Sequence, residues 1–242
     1  MDIVERLWRV TYQVFTPIDG IEKKVSRGSG FLLRHKNHLF FLTADHVIHY
    51  NEYANKQEIT EKRVLYVENN VQIEEKNVIT RFSDFYHCDP REQGRDDFAF
   101  CIIEESLQFP FKTEAFLRED GAVIIPADLE KLVISSEETA SPRKEDSYSV
   151  AGCTYTAQGT RRVNTLHLGM QLIGVTDAYV ILKSQEGIIK EKWEGLSGAP
   201  VLNQDGQLVG ILVSTHEVIN TILLIPIEKV LAKIDEVVDA NS

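Results

Sequence analysis

Residues 194–213 read EGLSGAPVLNQDGQLVGILV, a bend around Ser197 followed by apolar runs that are typical of strands. Two glycines flank Ser197, which indicates a backbone that bends tightly or lets another group approach closely. Pro200 removes one amide donor and stiffens the exit from the bend. The residues that follow indicate two short strands joined by a hairpin at Asn203–Gly206, because Asp-Gly is a strong hairpin signal. A serine at such a bend is either a nucleophile or an ordinary turn residue, and this stretch alone favours the turn residue.

Short β-type runs continue this pattern through most of the chain. They are WRVTYQVF, SGFLLRH, LFFLTA, RVLYVE, VQIEE, NVITRF, FAFCII, YSVAGCTYT, NTLHLGMQLIG, AYVILKS and TILLIPI. Their β-branched and aromatic residues, with turn signals between them, are typical of a sandwich or a barrel. After Pro226 the apolar residues of IEKVLAKIDEVV recur with helical spacing, which predicts one amphipathic C-terminal helix.

Residues 127–147, ADLEKLVISSEETASPRKEDS, interrupt this series with a charged segment. We interpret it as the connection between an N-terminal β half, residues 1–126, and a C-terminal half, residues 148–242, with one helical turn at DLEKLV. A surface loop inside a single sheet system fits the composition equally well.

The composition excludes several classes of partner. A net charge of −11 argues against binding to nucleic acid or to an anionic membrane. The chain has no apolar run near the ~18 residues that a membrane span needs, and its first residues do not resemble a secretory signal. The three cysteines, Cys88, Cys101 and Cys153, form no disulfide framework. If the chain begins at its native start, we therefore expect a cytoplasmic protein.

Three polar residues sit beside apolar runs that predict strands. His46 follows LFFLTA, Asp97 precedes FAFCII, and Ser197 occupies the bend. Acyl transfer by serine needs a nucleophile, a base that takes its proton and a carboxylate that fixes the tautomer of that base. Histidine can serve as that base near neutral pH.

The chain order His, Asp, Ser is that of chymotrypsin-type enzymes. The motifs GSGFLL…LTADHV, DDFAF and GLSGAPV…GQLVGIL resemble those of trypsin-like (chymotrypsin-fold) serine proteases, and especially their disulfide-free bacterial branch. The resemblance covers the chain from about Val14 to about Pro226. It implies an all-β protein of two six-stranded antiparallel β-barrels with a C-terminal α-helix, the active site lying between the barrels.

The resemblance also assigns roles to individual residues. Ser197 would be the nucleophile, His46 the base, and Asp97 the orienting acid. Asp96 competes for that last role, but the acid of the family precedes an apolar-Ala-apolar run, which fits Asp97. The backbone N–H groups of Gly195 and Ser197 would form the oxyanion hole.

The C-terminal residues suggest a substrate pocket. Glu191, six residues before Ser197, falls where trypsin carries the acid that attracts basic side chains, although a solvated glutamate fits equally well. Val213 and Ser214 are the candidates for the pocket wall.

The sequence departs from the family at several positions. Leu196 stands where secreted enzymes carry the Asp that pairs with their new N-terminus, so the bend is either preformed or ordered by an activating protein partner. We expect the partner, because an uncontrolled cytoplasmic endopeptidase would damage its host. Asp45 stands where the digestive enzymes usually carry Ala, and Ala199 replaces a commoner Gly.

The remaining expectations concern ligands and alternatives. The resemblance implies a protein or peptide substrate and no cofactor or metal. A metal site using His87 and Cys88 is disfavoured without a CxxC pair, and His46 and His49, at helical i, i+3 spacing, lack further ligands. A nucleophile elbow of the α/β-hydrolase type is excluded, since a hairpin follows Ser197. A protease-fold module that binds a peptide without cutting it is the alternative from another class.

Overall fold

Strands account for most of the described chain, with helices at its two ends. The structure is a computed structural model that describes residues 1–18, 21–49, 65–68, 79–82, 85–87, 96–103, 114–118, 121–125, 129–156 and 161–240. Within these ranges no helix is long and apolar enough to cross a membrane. The expected strand VQIEE and the candidate ligand Cys88 lie outside the described residues.

The N-terminal half begins with helix α1, Ile3–Val10, and continues into a sheet. Its strands follow the order β5-β4-β1-β2-β3-β7-β6. They are β1 Thr11–Ile18, β2 Ile21–His35, β3 His38–Thr43, β4 Leu65–Glu68, β5 Ile79–Phe82, β6 Tyr86–His87 and β7 Ala99–Ile103. A four-residue helix, α2, Asp45–Ile48, follows β3. A separate two-stranded sheet pairs β8, Glu114–Arg118, with β9, Gly121–Ile125.

The C-terminal half is a closed six-stranded barrel in the order β11-β12-β13-β16-β15-β14. Its strands are β11 Ser147–Thr156, β12 Arg161–Val175, β13 Val180–Lys183, β14 Pro200–Asn203, β15 Leu208–His216 and β16 Thr221–Pro226. The hairpin expected at Asn203–Gly206 is confirmed. Its turn is held by the side chain of Asn203, whose Oδ1 accepts from the backbone N–H of Gln207 at 2.9 Å, and Gly206 has a φ of +79°.

Two expectations about the first half need revision. Trp8–Val10 belongs to helix α1 and not to the first strand, because Leu7 and Val10 lie on one buried helical face. Among the described residues the first sheet is open, so the barrel expected for the N-terminal half is not closed there.

The segment between the halves is attached to the first sheet. It contains the expected helical turn, as helix α3, Leu129–Leu132, followed by strand β10, Val133–Ser135, and a 3-10 helix, Ser136–Glu138. Strand β10 adds to β2 in parallel, with Val133 opposite Leu32. The connection therefore extends the first sheet before the chain enters the barrel.

The expected C-terminal helix is confirmed as α5, Ile227–Ala240. Its apolar face, with Ile227, Val230 and Ile234 fully buried, belongs to the same core cluster as the strands of the first sheet. On its polar face Asp235 contacts the first sheet, with Oδ1 2.8 Å from His35 Nε2. The last helix thus joins the C-terminal half to the N-terminal half.

Candidate active site

His46 and Asp97 meet at one edge of the first sheet. Strands β3 and β7 pair antiparallel with Thr43 opposite Ala99, so that the chain leaving β3 lies beside the chain entering β7. His46 Nδ1 is 2.6 Å from Asp97 Oδ2, and the backbone N–H of His46 donates to Asp97 Oδ1 at 3.0 Å. The side chains of His46 and Asp97 are 23% and 19% exposed to solvent. The carboxylate therefore holds both the ring and the backbone of His46.

This pairing fixes the chemical state of the imidazole. An ionised carboxylate only accepts hydrogen bonds, so Nδ1 carries the ring proton and neutral His46 keeps Nε2 as a proton acceptor. Burial by itself lowers the pKa of His46. The charge and hydrogen bond of Asp97, together with the charge of Asp45, outweigh burial and raise this pKa above its ordinary 6.5. His46 can thus act as a base whose protonated form is stabilised.

The neighbouring carboxylates have other partners. Asp96 forms an ion pair with Lys229 of α5, with Oδ1 and Nζ 2.5 Å apart. The fully buried Asp45 pairs with His49, whose Nδ1 lies 2.7 Å from Asp45 Oδ1. Of the two aspartates that compete in the sequence, Asp97 is therefore the one that faces His46.

Ser197 follows a type II β-turn. The carbonyl of Trp193 accepts from the N–H of Leu196 at 3.1 Å, Glu194 has φ −59° and ψ 127°, and Gly195 has φ +93°. A type II turn requires a positive φ at its third residue, which favours glycine there. The short helix α4, Lys190–Trp193, leads directly into this turn, and Leu196 is fully buried behind it.

Two backbone donors at the turn are unused. Among the described residues, no hydrogen bond is donated by the N–H of Gly195 or of Ser197. The next two amides are engaged, since Gly198 donates to the carbonyl of Leu212 at 2.7 Å and Ala199 to that of Leu196 at 2.9 Å. Two unused N–H groups two residues apart are able to bind a negatively charged oxygen.

The turn of Ser197 packs directly on the edge that carries His46. Gly198 has φ +88°, and a methyl group there would lie 2.1 Å from the carbonyl oxygen of Ser29 and 2.8 Å from the amide nitrogen of Ala44. A methyl group at Gly28 would lie 2.7 Å from the Ser197 carbonyl oxygen and 2.5 Å from Val47. The close approach of the two halves therefore explains a glycine at position 198.

Ser29 lies at this contact, and the sequence analysis assigns it no role. Its N–H donates to the carbonyl of Ser197 at 2.7 Å, and its Oγ donates to the carbonyl of Gly195 at 2.7 Å. Thr43 Oγ1 in turn donates to the carbonyl of Ser29 at 2.7 Å. The only sequence signal was the position of Ser29 inside the GSG motif, which does not identify a hydrogen-bond partner.

The three pocket candidates differ in exposure. Glu191 is an exposed residue of α4, Val213 is buried and Ser214 is half-buried. The carbonyl of Leu212 accepts from Gly198 of the turn, and Val213 and Ser214 are the two residues that follow Leu212 in the chain.

Comparison with known proteins places the fold in a recognised group. No protein-family model matches the chain, and no curated protein matches it. Among solved structures, the tobacco etch virus protease complexed with product has a TM-score of 0.52 at 12% identity, covering 93% of this chain and 76% of its own. The serine endoprotease from Yersinia pestis has a TM-score of 0.52 at 16% identity, covering 98% of this chain and 66% of its own.

A third structure, Deg5, has a TM-score of 0.50 at 15% identity, with 95% of this chain and 89% of that chain covered. At such identities the likeness shows the fold alone. The protein thus has a barrel-containing, trypsin-like fold, as the resemblance implied, and its structural neighbours are proteases.

Proposed function

We propose that the protein is a serine endopeptidase of the trypsin-like type. The observation that carries the proposal is the packing of the Ser197 turn on the sheet edge where Asp97 holds His46. The protease fold of the structural neighbours supports hydrolysis of a peptide bond. In this proposal the first, open sheet corresponds to the other barrel of a double-barrel enzyme.

The residues supply each proton transfer of the reaction. Ser197 Oγ attacks the peptide carbonyl carbon while Nε2 of His46 takes the hydroxyl proton, and Asp97 stabilises the imidazolium that forms. The N–H groups of Gly195 and Ser197 bind the oxygen that becomes negative. The imidazolium then protonates the leaving amine as the C–N bond breaks, and water hydrolyses the acyl-enzyme by the same steps.

The choice of serine over cysteine chemistry depends on residue 197. The fold neighbours include cysteine proteases of the tobacco etch virus type as well as serine endoproteases. In this chain the residue that carries the second unused donor and precedes the buried Gly198 is Ser197. A serine needs the base more than a cysteine does, because its hydroxyl is a weak nucleophile at neutral pH, and the His46–Asp97 pair meets that need.

The substrate and its control are further parts of the proposal. A protein or peptide would bind along the turn, with Val213 and Ser214 at the pocket wall and Glu191 near its entrance. An activating protein partner stays a prediction. The type II turn is held by bonds within the chain, which supports an oxyanion turn formed without a partner.

Labelling with a fluorophosphonate probe tests the proposal. Purified wild type is expected to be labelled, Ser197→Ala is expected to be unlabelled, and the mutant should lose turnover on the order of 10⁶-fold in kcat. Labelling of Ser147→Ala, a control with a half-buried serine of β11 outside the proposed site, should persist. A folded wild type that neither reacts with the probe nor cleaves a peptide library, yet binds peptides, would support the alternative of a binding module.

A further inference from the structure

Two peptides of the Ser197 turn alternate with the two that carry the unused donors, and each of these two is hydrogen-bonded at both ends. The peptide between Gly195 and Leu196 is bound at both ends, by its N–H to Trp193 and by its carbonyl to Ser29. The peptide between Ser197 and Gly198 is also bound at both ends, by its N–H to Leu212 and by its carbonyl to Ser29. Ser29 is therefore the partner on both sides of Ser197.

Ser29 itself is held in a fixed place. It is fully buried, it precedes Gly30, which pairs with Thr43 across β2 and β3, and its carbonyl accepts from Thr43 Oγ1. Its two donors thus reach across from the sheet edge that carries His46 to the turn of the other half. A buried hydroxyl with a partner at 2.7 Å has one preferred orientation, because an unpaired alternative costs a desolvated donor.

The space around the hydroxyl is limited. Gly152 of β11 faces it, and a methyl group at Gly152 would lie 2.9 Å from Ser29 Oγ and 2.6 Å from Leu196 Cδ2. The Ser29 hydroxyl and the Leu196 side chain therefore share a niche that has no Cβ on its far side. This niche holds the Gly195–Leu196 peptide, whose N–H makes the closing hydrogen bond of the turn, in one orientation.

We infer that Ser29 is a positioning residue that keeps the oxyanion turn in its type II form, and thereby keeps the N–H of Gly195 available to the reacting oxygen. The inference rests on the proposed function. Ser29 touches neither substrate nor reacting atoms, because its hydrogen bonds go to the carbonyl oxygens of Gly195 and Ser197.

Kinetics of Ser29→Ala test this role. Losing one oxyanion donor costs on the order of 10²–10³ in kcat, and a turn that keeps the donor in place part of the time keeps part of that gain. We expect a fall in kcat of roughly 10- to 100-fold with KM changed less than about 2-fold, since only transition-state binding is affected. The control is Ser149→Ala, a serine of β11 buried to a similar degree, which should lose stability but not show this split.

A second variant and a second readout keep the test decisive. Thr43→Val conserves side-chain volume and removes only the donor to Ser29, so it should reduce kcat in the same direction by a smaller factor. In [15N]glycine-labelled protein, Ser29→Ala should shift or broaden the amide resonance of Gly195, and Ser149→Ala should not. Unchanged kinetics together with an unmoved Gly195 resonance would overturn the inference.

The resonance also separates this inference from the proposed function. If wild type has no turnover, the proposed endopeptidase fails, while movement of the Gly195 resonance in Ser29→Ala still supports the hold of Ser29 on the turn. If wild type turns over and Ser29→Ala behaves like Ser149→Ala, the endopeptidase stands and the role of Ser29 is refuted.

Discussion

Asp97 binds His46 through both carboxylate oxygens, one 2.6 Å from the ring Nδ1 and the other 3.0 Å from the backbone nitrogen. The second bond ties the carboxylate to the first residues of α2, so that the ring and its main chain move as one unit. A carboxylate with both oxygens hydrogen-bonded has little freedom to rotate, and the imidazole that it binds is therefore held in one orientation.

Asp97→Asn should keep the backbone contact and lose the chemistry. The single amide oxygen of Asn can replace only one of the two carboxylate oxygens; with that oxygen on the backbone N–H, the NH2 group faces the ring and cannot accept from Nδ1–H, so the imidazole is driven to the wrong tautomer. We expect kcat to fall by roughly 10⁴-fold, as in the chymotrypsin-type template. Steady-state kinetics on a peptide substrate measure this, with Asp96→Asn as the control. Equal losses in both variants would contradict the assignment.

The pH dependence of activity should follow the raised pKa of His46. The base must be neutral, so the acid limb of kcat/KM is expected above pH 6.5, the ordinary value. Asp45→Asn removes one negative charge that favours the imidazolium, which lowers the pKa of His46 and moves the limb to lower pH. Asp96→Asn, which removes a carboxylate that pairs with Lys229 and is not among the groups that shift the pKa of His46, is the control. A limb that stays in place in Asp45→Asn would exclude this electrostatic contribution.

The same pKa shift links His46 to stability. A group whose pKa is raised in the folded state stabilises the fold below its unfolded pKa, and this contribution is lost as pH rises through the folded pKa. Denaturant unfolding of wild type and His46→Gln should therefore differ most below pH 6.5, and the difference should shrink at higher pH.

Gly198→Ala should disrupt the contact between the halves. The positive φ of 88° costs an alanine about 1–2 kcal/mol, and the overlap with the carbonyl of Ser29 adds about 1–3 kcal/mol. We expect the free energy of unfolding to fall by the sum and activity to be lost. Gly169→Ala is the matched control, because Gly169 has φ +74° but no atom nearer than 4.0 Å. Similar losses for both variants would mean that φ alone explains the glycine.

Glu191 should have a modest and salt-sensitive effect on specificity. It is exposed on α4 between Lys190 and Lys192, and exposed charge pairs contribute about 0.2–1 kcal/mol. At low salt, Glu191→Gln should prefer an Arg over a Leu substrate about 2- to 5-fold less than wild type does. At high salt the two proteins should show the same preference. Glu186→Gln controls for net charge. A loss that persists at high salt would place the carboxylate inside a desolvated pocket.

Local sequence signals predicted the features that depend on short-range chemistry. The hairpin at Asn203–Gly206 follows from turn residues whose own side chains hold it, and the C-terminal helix follows from its apolar spacing. The start of the chain was misassigned for a related reason. The apolar residues Leu7 and Val10 fit a helix, and the alternating pattern around them fits a strand equally well. The burial of Leu7 and Val10 in the core favours the helix.

Local sequence signals do not predict which distant residues meet in the fold. The hydrogen bond from Ser29 to Gly195 joins residues 166 apart, and a GSG motif does not indicate which carbonyl its serine will meet. The proximity of His46 and Asp97, in contrast, could be anticipated from a family pattern of motif order. Closure of a sheet is likewise a property of distant pairings, so local signals predict the first half as β, whereas its expected closure into a barrel came only from the family resemblance.

The way in which α5 and the Ser197 turn join the two halves also sets when the site becomes complete during synthesis. A ribosome releases His46 and Asp97 long before Ser197, and the Asp235 contact to His35 forms only after α5 has been made. Domains emerge N-terminal first. A nascent chain that has not been extended through Ser197 and α5 therefore lacks both the candidate nucleophile and the helix that joins the halves, so the candidate site can be complete only after both segments have left the ribosome.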